Sequence, residues 1–158
     1  ASSTVYSTYI LYADAGGKHD PNDFWKLYKK IDKYDFITGF KHNRHDPWYR
    51  LLLSWGMNRI VNSYFGVAFS DIDCGFKLFS HKVKKYLLKE TWILNNNISL
   101  EIVLRAVAQK FKTTEVSIKH KARKHGESRG LPLKKIPRAV FNILISLPRL
   151  KQKIFNSN

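Results

Sequence analysis

The hydrophobic pattern of this chain changes period several times, and each change marks an element. Tyr9-Ile10-Leu11-Tyr12-Ala13 is an apolar run with strand character that stops at Asp14. It opens into Ala15-Gly16-Gly17 and then Lys18-His19-Asp20-Pro21. A carboxylate that ends a buried strand stands at the strand's C-terminal edge, where ligands sit in open α/β sheets. The same residues also fit a plain strand–turn–helix with a capping aspartate. Pro21 suits the first turn of a helix. From Asn22 to Lys33, Phe24, Leu27, Tyr28 and Ile31 recur at helical spacing, with Lys26, Lys29, Lys30 and Lys33 on the other face. Tyr34 to Phe40 returns to a β-branched and aromatic run, so strand, helix and strand are expected to form a parallel crossover unit.

After the polar loop Lys41-His42-Asn43-Arg44-His45-Asp46, Pro47 starts a second helical pattern that runs through Tyr64. Its candidate core positions are Leu51, Leu52, Trp55, Ile60, Val61 and Tyr64. Arg50, Ser54 and Asn58 stand four apart and share one helical face. That stripe reads either as a solvated face or as a set of groups for a phosphate oxygen, which all three residue types can hold. Phe65-Gly66 ends the helix, and Ser70-Asp71-Ile72-Asp73-Cys74-Gly75 is a turn-rich segment with carboxylates at i and i+2. Phe76 to Phe79 is a short strand, and Ser80 caps a helix over His81 to Leu88. Ser99 caps a further helix to Lys110, with Leu100, Val103, Leu104 and Val107 on its core face. Thr113 to Lys119 alternates as a half-exposed strand.

The last quarter is basic. His120 to Gly130 is a glycine-punctuated loop that suits either clamping of an anion or simple solvation. Leu131 to Phe155 holds an amphipathic helix: Ala139, Val140, Ile143, Leu144, Leu147 and Leu150 lie among Lys134, Lys135, Arg138, Arg149, Lys151 and Lys153. Pro137 and Pro148 bound or kink it. Such a helix lies on a membrane surface or packs on another part of the domain, and both readings stand.

Composition narrows the class. The 158 residues are 44% hydrophobic and 14% aromatic, which fits a globular domain with a core and not a disordered chain. No run approaches the roughly 20 apolar residues of a membrane-spanning helix. The single cysteine, Cys74, excludes an internal disulfide and a cysteine zinc cluster, so a reducing, cytoplasmic setting is expected. The six histidines show no metal-ligand spacing, and no GxGxxG, Walker, HExxH or GxSxG pattern occurs. The formal charge of +16 is uneven, since Lys110 to Lys153 alone holds 13 basic and 2 acidic residues. Such a surface expects an anionic partner: nucleic acid, lipid headgroups or a phosphorylated substrate.

Four segments in order resemble family 2 glycosyltransferases, in the polyprenyl-phosphate (dolichyl-phosphate mannose synthase-like) branch. They are Asp14 to Pro21; Gly39 through Lys41 with Arg50, Ser54 and Asn58; Ser70 to Phe79; and Arg123-Lys124-His125-Gly126-Glu127-Ser128-Arg129. The resemblance implies an α/β, partial GT-A (Rossmann-like) fold, with a C-terminal amphipathic helix. It implies a nucleotide-sugar donor and a lipid-phosphate or glycan acceptor. The family's D-x-D carboxylates meet Mg²⁺ or Mn²⁺ on the donor diphosphate. Here Asp14 matches the first and Gly16 replaces the second, so metal affinity is expected to fall unless Asp71 or Asp73 compensates. By the same resemblance Lys41, Arg50, Ser54 and Asn58 take the acceptor phosphate, and Asp71 and Asp73 are the catalytic carboxylates. Arg123, Ser128 and Arg129 match a loop that closes on the donor diphosphate.

The family's N-terminal nucleotide-binding strands have no counterpart before Tyr9, so residues 1–130 are expected to be the C-terminal part of the catalytic domain and 131–158 a basic amphipathic tail. The chain is then expected to need that missing half for turnover and to lie peripherally at the cytoplasmic membrane face. Two other functions stay open. A non-catalytic, membrane-associated or regulatory remnant is favoured by Gly16 and by that missing half. A nucleic-acid module rests only on charge and on aromatics such as Trp48 and Trp55.

Overall fold

The computed structural model describes residues 8–16, 18–42, 44, 46–95, 97–120 and 136–155. Its sheet has the order β1-β3-β2-β4. Strands β1 (Tyr9–Ala13) and β2 (Phe36–His42) both pair antiparallel with β3 (Phe76–Ser80), and β4 (Thr113–Lys119) pairs parallel with β2. The expected crossover is therefore present, since β1 and β2 run the same way, but the two are not neighbours. β3 inserts between them because its two apolar faces match both: Leu78 faces Leu11 and Ile37, and Phe79 faces Ile10 and Phe36.

Alternation along the strands splits the core into two layers. On one face Ile37, Leu78, Phe76, Ile118 and Cys74 pack with Leu27 of α1 (Phe24–Tyr28). On the other, Phe36 and Phe79 pack beneath α2 (Trp48–Phe65), α3 (His81–Leu87), α4 (Ile98–Ala108) and α5 (Ile136–Phe155). Gly39 of β2 leaves room for Ile118, whose Cδ1 lies 2.7 Å from where a Cβ would stand.

Helix boundaries follow local chemistry. α1 is shorter than the periodic pattern over Asn22 to Lys33. Pro21–Asp23 forms a 3-10 turn capped by Asp20, and after Tyr28 the amides of Lys30 and Ile31 bond three residues back. α2 begins at Pro47 and ends at Gly66, which adopts φ 67°, the left-handed conformation that glycine takes without strain. α4 is capped by Asn97, whose side chain accepts from Leu100 N, and not by Ser99. Ser99 lies inside the first turn, and its hydroxyl donates instead to the Cys74 carbonyl.

α4 is buried on nearly every side. Leu100, Ile102, Val103, Leu104, Ala106 and Ala108 fill the core, and Glu101 and Arg105 are buried with them. α5 continues through Pro148 and buries Leu147, Leu150 and Ile154 in the same core, so the hydrophobic interior crosses the 130/131 division. No helix among the described residues is long and apolar enough to cross a membrane.

α2 departs most from its hydrophobic pattern. Val61 and Phe65 are buried, but Trp48, Leu52, Trp55, Ile60 and Tyr64 face solvent, with Trp48 76% and Trp55 66% exposed. Leu52, Trp55, Ile60 and Tyr64 are thus removed from the expected core positions. The inward side carries Ser54, Asn58 and Asn62, whose polar groups are needed there for the contacts described next.

Candidate functional site

The tip of β1 is seated on the turn before β3. Asp14 N donates to the Gly75 carbonyl at 2.8 Å. A Cβ on residue 75 would fall 1.8 Å from Asp14 Oδ2, so only glycine lets this carboxylate lie against the turn. The first and third sequence segments are thereby joined.

That turn is held from two sides. Asn62 of α2 brackets Phe69, donating to its carbonyl at 2.8 Å and accepting from its amide at 3.3 Å. Asn58 does the same across Ser70 and Ile72, donating to Ser70 O at 2.5 Å and accepting from Ile72 N at 3.2 Å. From β4, Glu115 accepts from Ser70 N at 2.8 Å and from Asp71 N at 3.3 Å. Fixing the backbone this way orients both carboxylates. Asp71 is buried and gripped by Lys41 of β2: Nζ lies 3.2 Å from Oδ2, and the Lys41 amide donates to the same oxygen at 3.4 Å.

Charges crowd here. Burial, reinforced by Asp71 and Asp14 and opposed by Lys77 and Lys41, raises the Asp73 carboxyl to about 6. Asp73 is exposed as a residue, so solvent tempers the size of that shift but not its direction. Lys77 is wholly buried, donating to the Cys74 carbonyl and, at 2.7 Å, to Ser99 Oγ. Burial lowers its ammonium to about 8 despite the nearby acids. His19 lies tilted over Phe76 with ring centroids 5.2 Å apart, its Nδ1 is buried without a hydrogen-bond partner, and burial and Lys41 lower its pKa. Tyr12 is pushed up by burial and then by Asp14 and Asp73.

Beside this cluster lies a cationic basin. Arg44 donates from Nε and Nη2 to Asp46 Oδ2, at 3.1 and 2.9 Å, and from Nη1 to Ser54 Oγ at 2.8 Å. Lys18 approaches Asp46 Oδ1 at 3.5 Å. His120, bridged to His19 across the strand ends, shares this field with Asp46, Lys18, Lys41 and Arg44.

Of the residues expected from sequence, Asp14, Asp71, Asp73 and Lys41 meet at one edge of the sheet. Ser54 lies in the adjoining basin, bonded by Arg44, and Arg50 is half-buried on the same helical face. Asn58 clamps the turn, donating to Ser70 O and accepting from Ile72 N. Arg123, Ser128 and Arg129 lie outside the described residues. Among the described residues no group of three His, Cys, Asp or Glu side chains is placed to hold a metal ion. Asp14 offers one carboxylate, so a hard divalent cation fits here only by taking most of its oxygens from a bound diphosphate and water.

The sequence reading missed Asn62, Glu115, Lys77, His19, Lys18, Arg44, Asp46 and His120. Asn58 and Asn62 stand four apart on one helix, which was a legible signal. Glu115 comes from β4 and His120 directly follows it, and neither carried one.

No protein-family model matches the chain. It is 26% identical over 121 residues to the undecaprenyl-phosphate 4-deoxy-4-formamido-L-arabinose transferase of Edwardsiella ictaluri, a match covering 76% of this chain and 36% of that protein. The Enterobacter sp. enzyme of the same name is 27% identical over 128 residues, covering 80% and 38%. Among solved structures, glucosyl-3-phosphoglycerate synthase from Mycobacterium tuberculosis with phosphoglyceric acid aligns at TM-score 0.67 and 9% identity. The same synthase with Mn²⁺, UDP-glucose and glycerol 3-phosphate aligns at 0.63 and 10%. Both cover 92% of this chain and 50% of theirs. The chain thus spans 36 to 38% of the length of these curated relatives and half that of the solved structures. It is similar in sequence to family 2 polyprenyl-phosphate sugar transferases, and it carries part of a GT-A glycosyltransferase fold.

Proposed function

We propose that this chain is the metal-side and acceptor-side part of a family 2 glycosyltransferase. It would move a sugar from a nucleotide-sugar donor to a polyprenyl phosphate or glycan, with base and ribose recognised by a further part of the domain. The observation that carries this reading is the meeting of Asp14, Asp71, Asp73 and Lys41 at one sheet edge. The names of the relatives add support: two act on undecaprenyl phosphate, and the solved synthase was crystallised with Mn²⁺, UDP-glucose and a phosphate-bearing acceptor.

The residues divide the task. Lys41, Arg50 and Ser54 hold the acceptor phosphate, which is already anionic and needs little general-base help. Asp71 fixes the Lys41 ammonium. Asp73, raised to about 6, suits proton uptake near neutral pH. Asp14 would hold Mg²⁺ or Mn²⁺, which when bound supplies positive charge for the leaving diphosphate. Arg123, Ser128 and Arg129 add cationic and hydroxyl groups to the same diphosphate. The exposed Trp48, Leu52, Trp55 and Ile60 of α2 rest in an anionic bilayer surface, to which the charge of +16 draws the chain.

A second reading, a non-catalytic remnant, is favoured by Gly16 and by the absence of a three-ligand metal cluster among the described residues. Titrating Mn²⁺ with uridine diphosphate, followed by loss of the free Mn²⁺ paramagnetic signal, separates the two. The transferase reading expects binding that Asp14→Asn weakens at least about tenfold. Equal binding by both proteins sinks it.

A further inference from the structure

We propose that the Lys18–Arg44–His120 basin is a phosphomonoester site that Asp46 fills as an internal counter-anion, and that a ligand phosphate displaces Asp46. This rests on the acceptor-phosphate reading above and adds to it a built-in competitor.

Three observations carry the inference. First, Asp46 lies one residue outside α2, before its N-cap Pro47, and the Arg50 and Leu51 amides take the Pro47 carbonyl. The carboxylate, 9% exposed, faces the cations instead. Second, its grip among the described residues is lopsided. Arg44 directs both Nε and Nη2 at the single oxygen Oδ2, while Oδ1 has a long 3.5 Å contact with Lys18. A guanidinium matched to two oxygens binds better than one converging on a single oxygen, and a phosphate has three to share among Arg44, Lys18 and His120. Third, the basin is linked to the acceptor helix. Arg44 Nη1 donates to Ser54 Oγ, on the face that carries Arg50. Burial pushes the Asp46 carboxyl up, but the bonds and charge of Arg44, with Lys18, more than offset it and hold it below the usual range. The group is thus an anion in competition for the same cations that a phosphate needs.

The probe is inorganic phosphate, titrated by calorimetry into the 158-residue chain. Asp46→Asn keeps the side-chain volume and removes the charge, and is expected to bind phosphate about tenfold more tightly. Adding Arg44→Gln to that variant is expected to cancel the gain. A folded Asp46→Asn protein with unchanged or weaker binding overturns the proposal, because weaker binding would mean that Asp46 only orients Arg44. Should Asp46→Asn fail to fold, Lys18→Met serves: the proposal requires weaker phosphate binding, and unchanged binding overturns it. Vesicles bearing a long-chain alkyl monophosphate, against vesicles of equally charged phosphatidylglycerol, identify the source. Preference for the monophosphate that Asp46→Asn strengthens supports a lipid phosphate, and equal binding overturns that source. None of these arms involves Mn²⁺ or Asp14, so failure here is distinct from failure of the donor-side test.

Discussion

Among the described residues, Arg105 and Lys77 are the two cations that the fold buries most completely, and they are satisfied in opposite ways. Arg105 donates to Glu101 Oε1 at 2.9 and 2.7 Å, to Glu90 Oε2 at 2.6 Å and to the Thr91 carbonyl at 2.9 Å. Glu101 in turn accepts from Ile93 N and Leu94 N. Burial lowers the Arg105 pKa, but Glu101 and its neighbours more than reverse that. Lys77 is held by two neutral oxygens, of Cys74 and Ser99, while Asp73 and Asp71 act on it through space. One cluster is closed and fixes the loop before α4. The other leaves charge under-compensated at the sheet edge, as sites that meet charged ligands do.

The comparison breaks most visibly at Arg105. Arg105→Met strands Glu101 in the core and is expected to lose about 3–5 kcal/mol in urea unfolding, with ligand binding unchanged per folded molecule. A loss under about 1 kcal/mol would put both cations in the same class.

Next comes the pH dependence of Lys77. Its ammonium is depressed from 10.5 to about 8, so between those values the unfolded chain binds more protons than the folded one. Stability is then expected to rise by up to about 3 kcal/mol as pH climbs from 8 to 10.5, and Lys77→Met to flatten that rise. Asp73 works the other way. Raised from 3.8 to about 6, it favours the folded state at low pH and loses that contribution as pH rises through 6, a slope that Asp73→Asn removes. Denaturant midpoints measured across both windows check the two signs.

A smaller effect is expected at Gly75. Gly75→Ala drives a methyl into the Asp14 carboxylate and is expected to cost about 1–3 kcal/mol, with weaker Mn²⁺–nucleotide binding. Smallest in stability are Trp48→Ser and Trp55→Ser on the solvent face of α2. Each is expected to change unfolding free energy by less than about 0.5 kcal/mol while reducing sedimentation with anionic vesicles. Marked destabilisation would return these side chains to a packing role.

Local rules carried the elements. β1, β3, β4 and the limits of α2 at Pro47 and Gly66 were legible, because period-two alternation and breaker residues act within a few positions. The face of α2 was not. Its apolar positions recur well enough to suggest a core, yet Trp55 and Leu52 point outward because Asn58 and Asn62 must reach the turn that carries Asp71. At the site, Asp14, Lys41, Asp71 and Asp73 stood out through the order of four segments. Arg44, Asp46 and His120 did not, since each sits in a polar loop or at a strand end.

Sequence by itself determined which residues form strands and helices, because those preferences belong to the backbone and its nearest neighbours. It also carried the resemblance to family 2 glycosyltransferases, through the order of four short segments. Tertiary structure alone decided that β3 lies between β1 and β2, and which side of α2 is inward. It alone set Asp46 among the cations of Lys18 and Arg44. The physical reason is range: a hydrogen bond or ion pair acts over about 3 Å, and only the assembled sheet seats Asp14 against Gly75 and brings Lys41 to Asp71 within that reach.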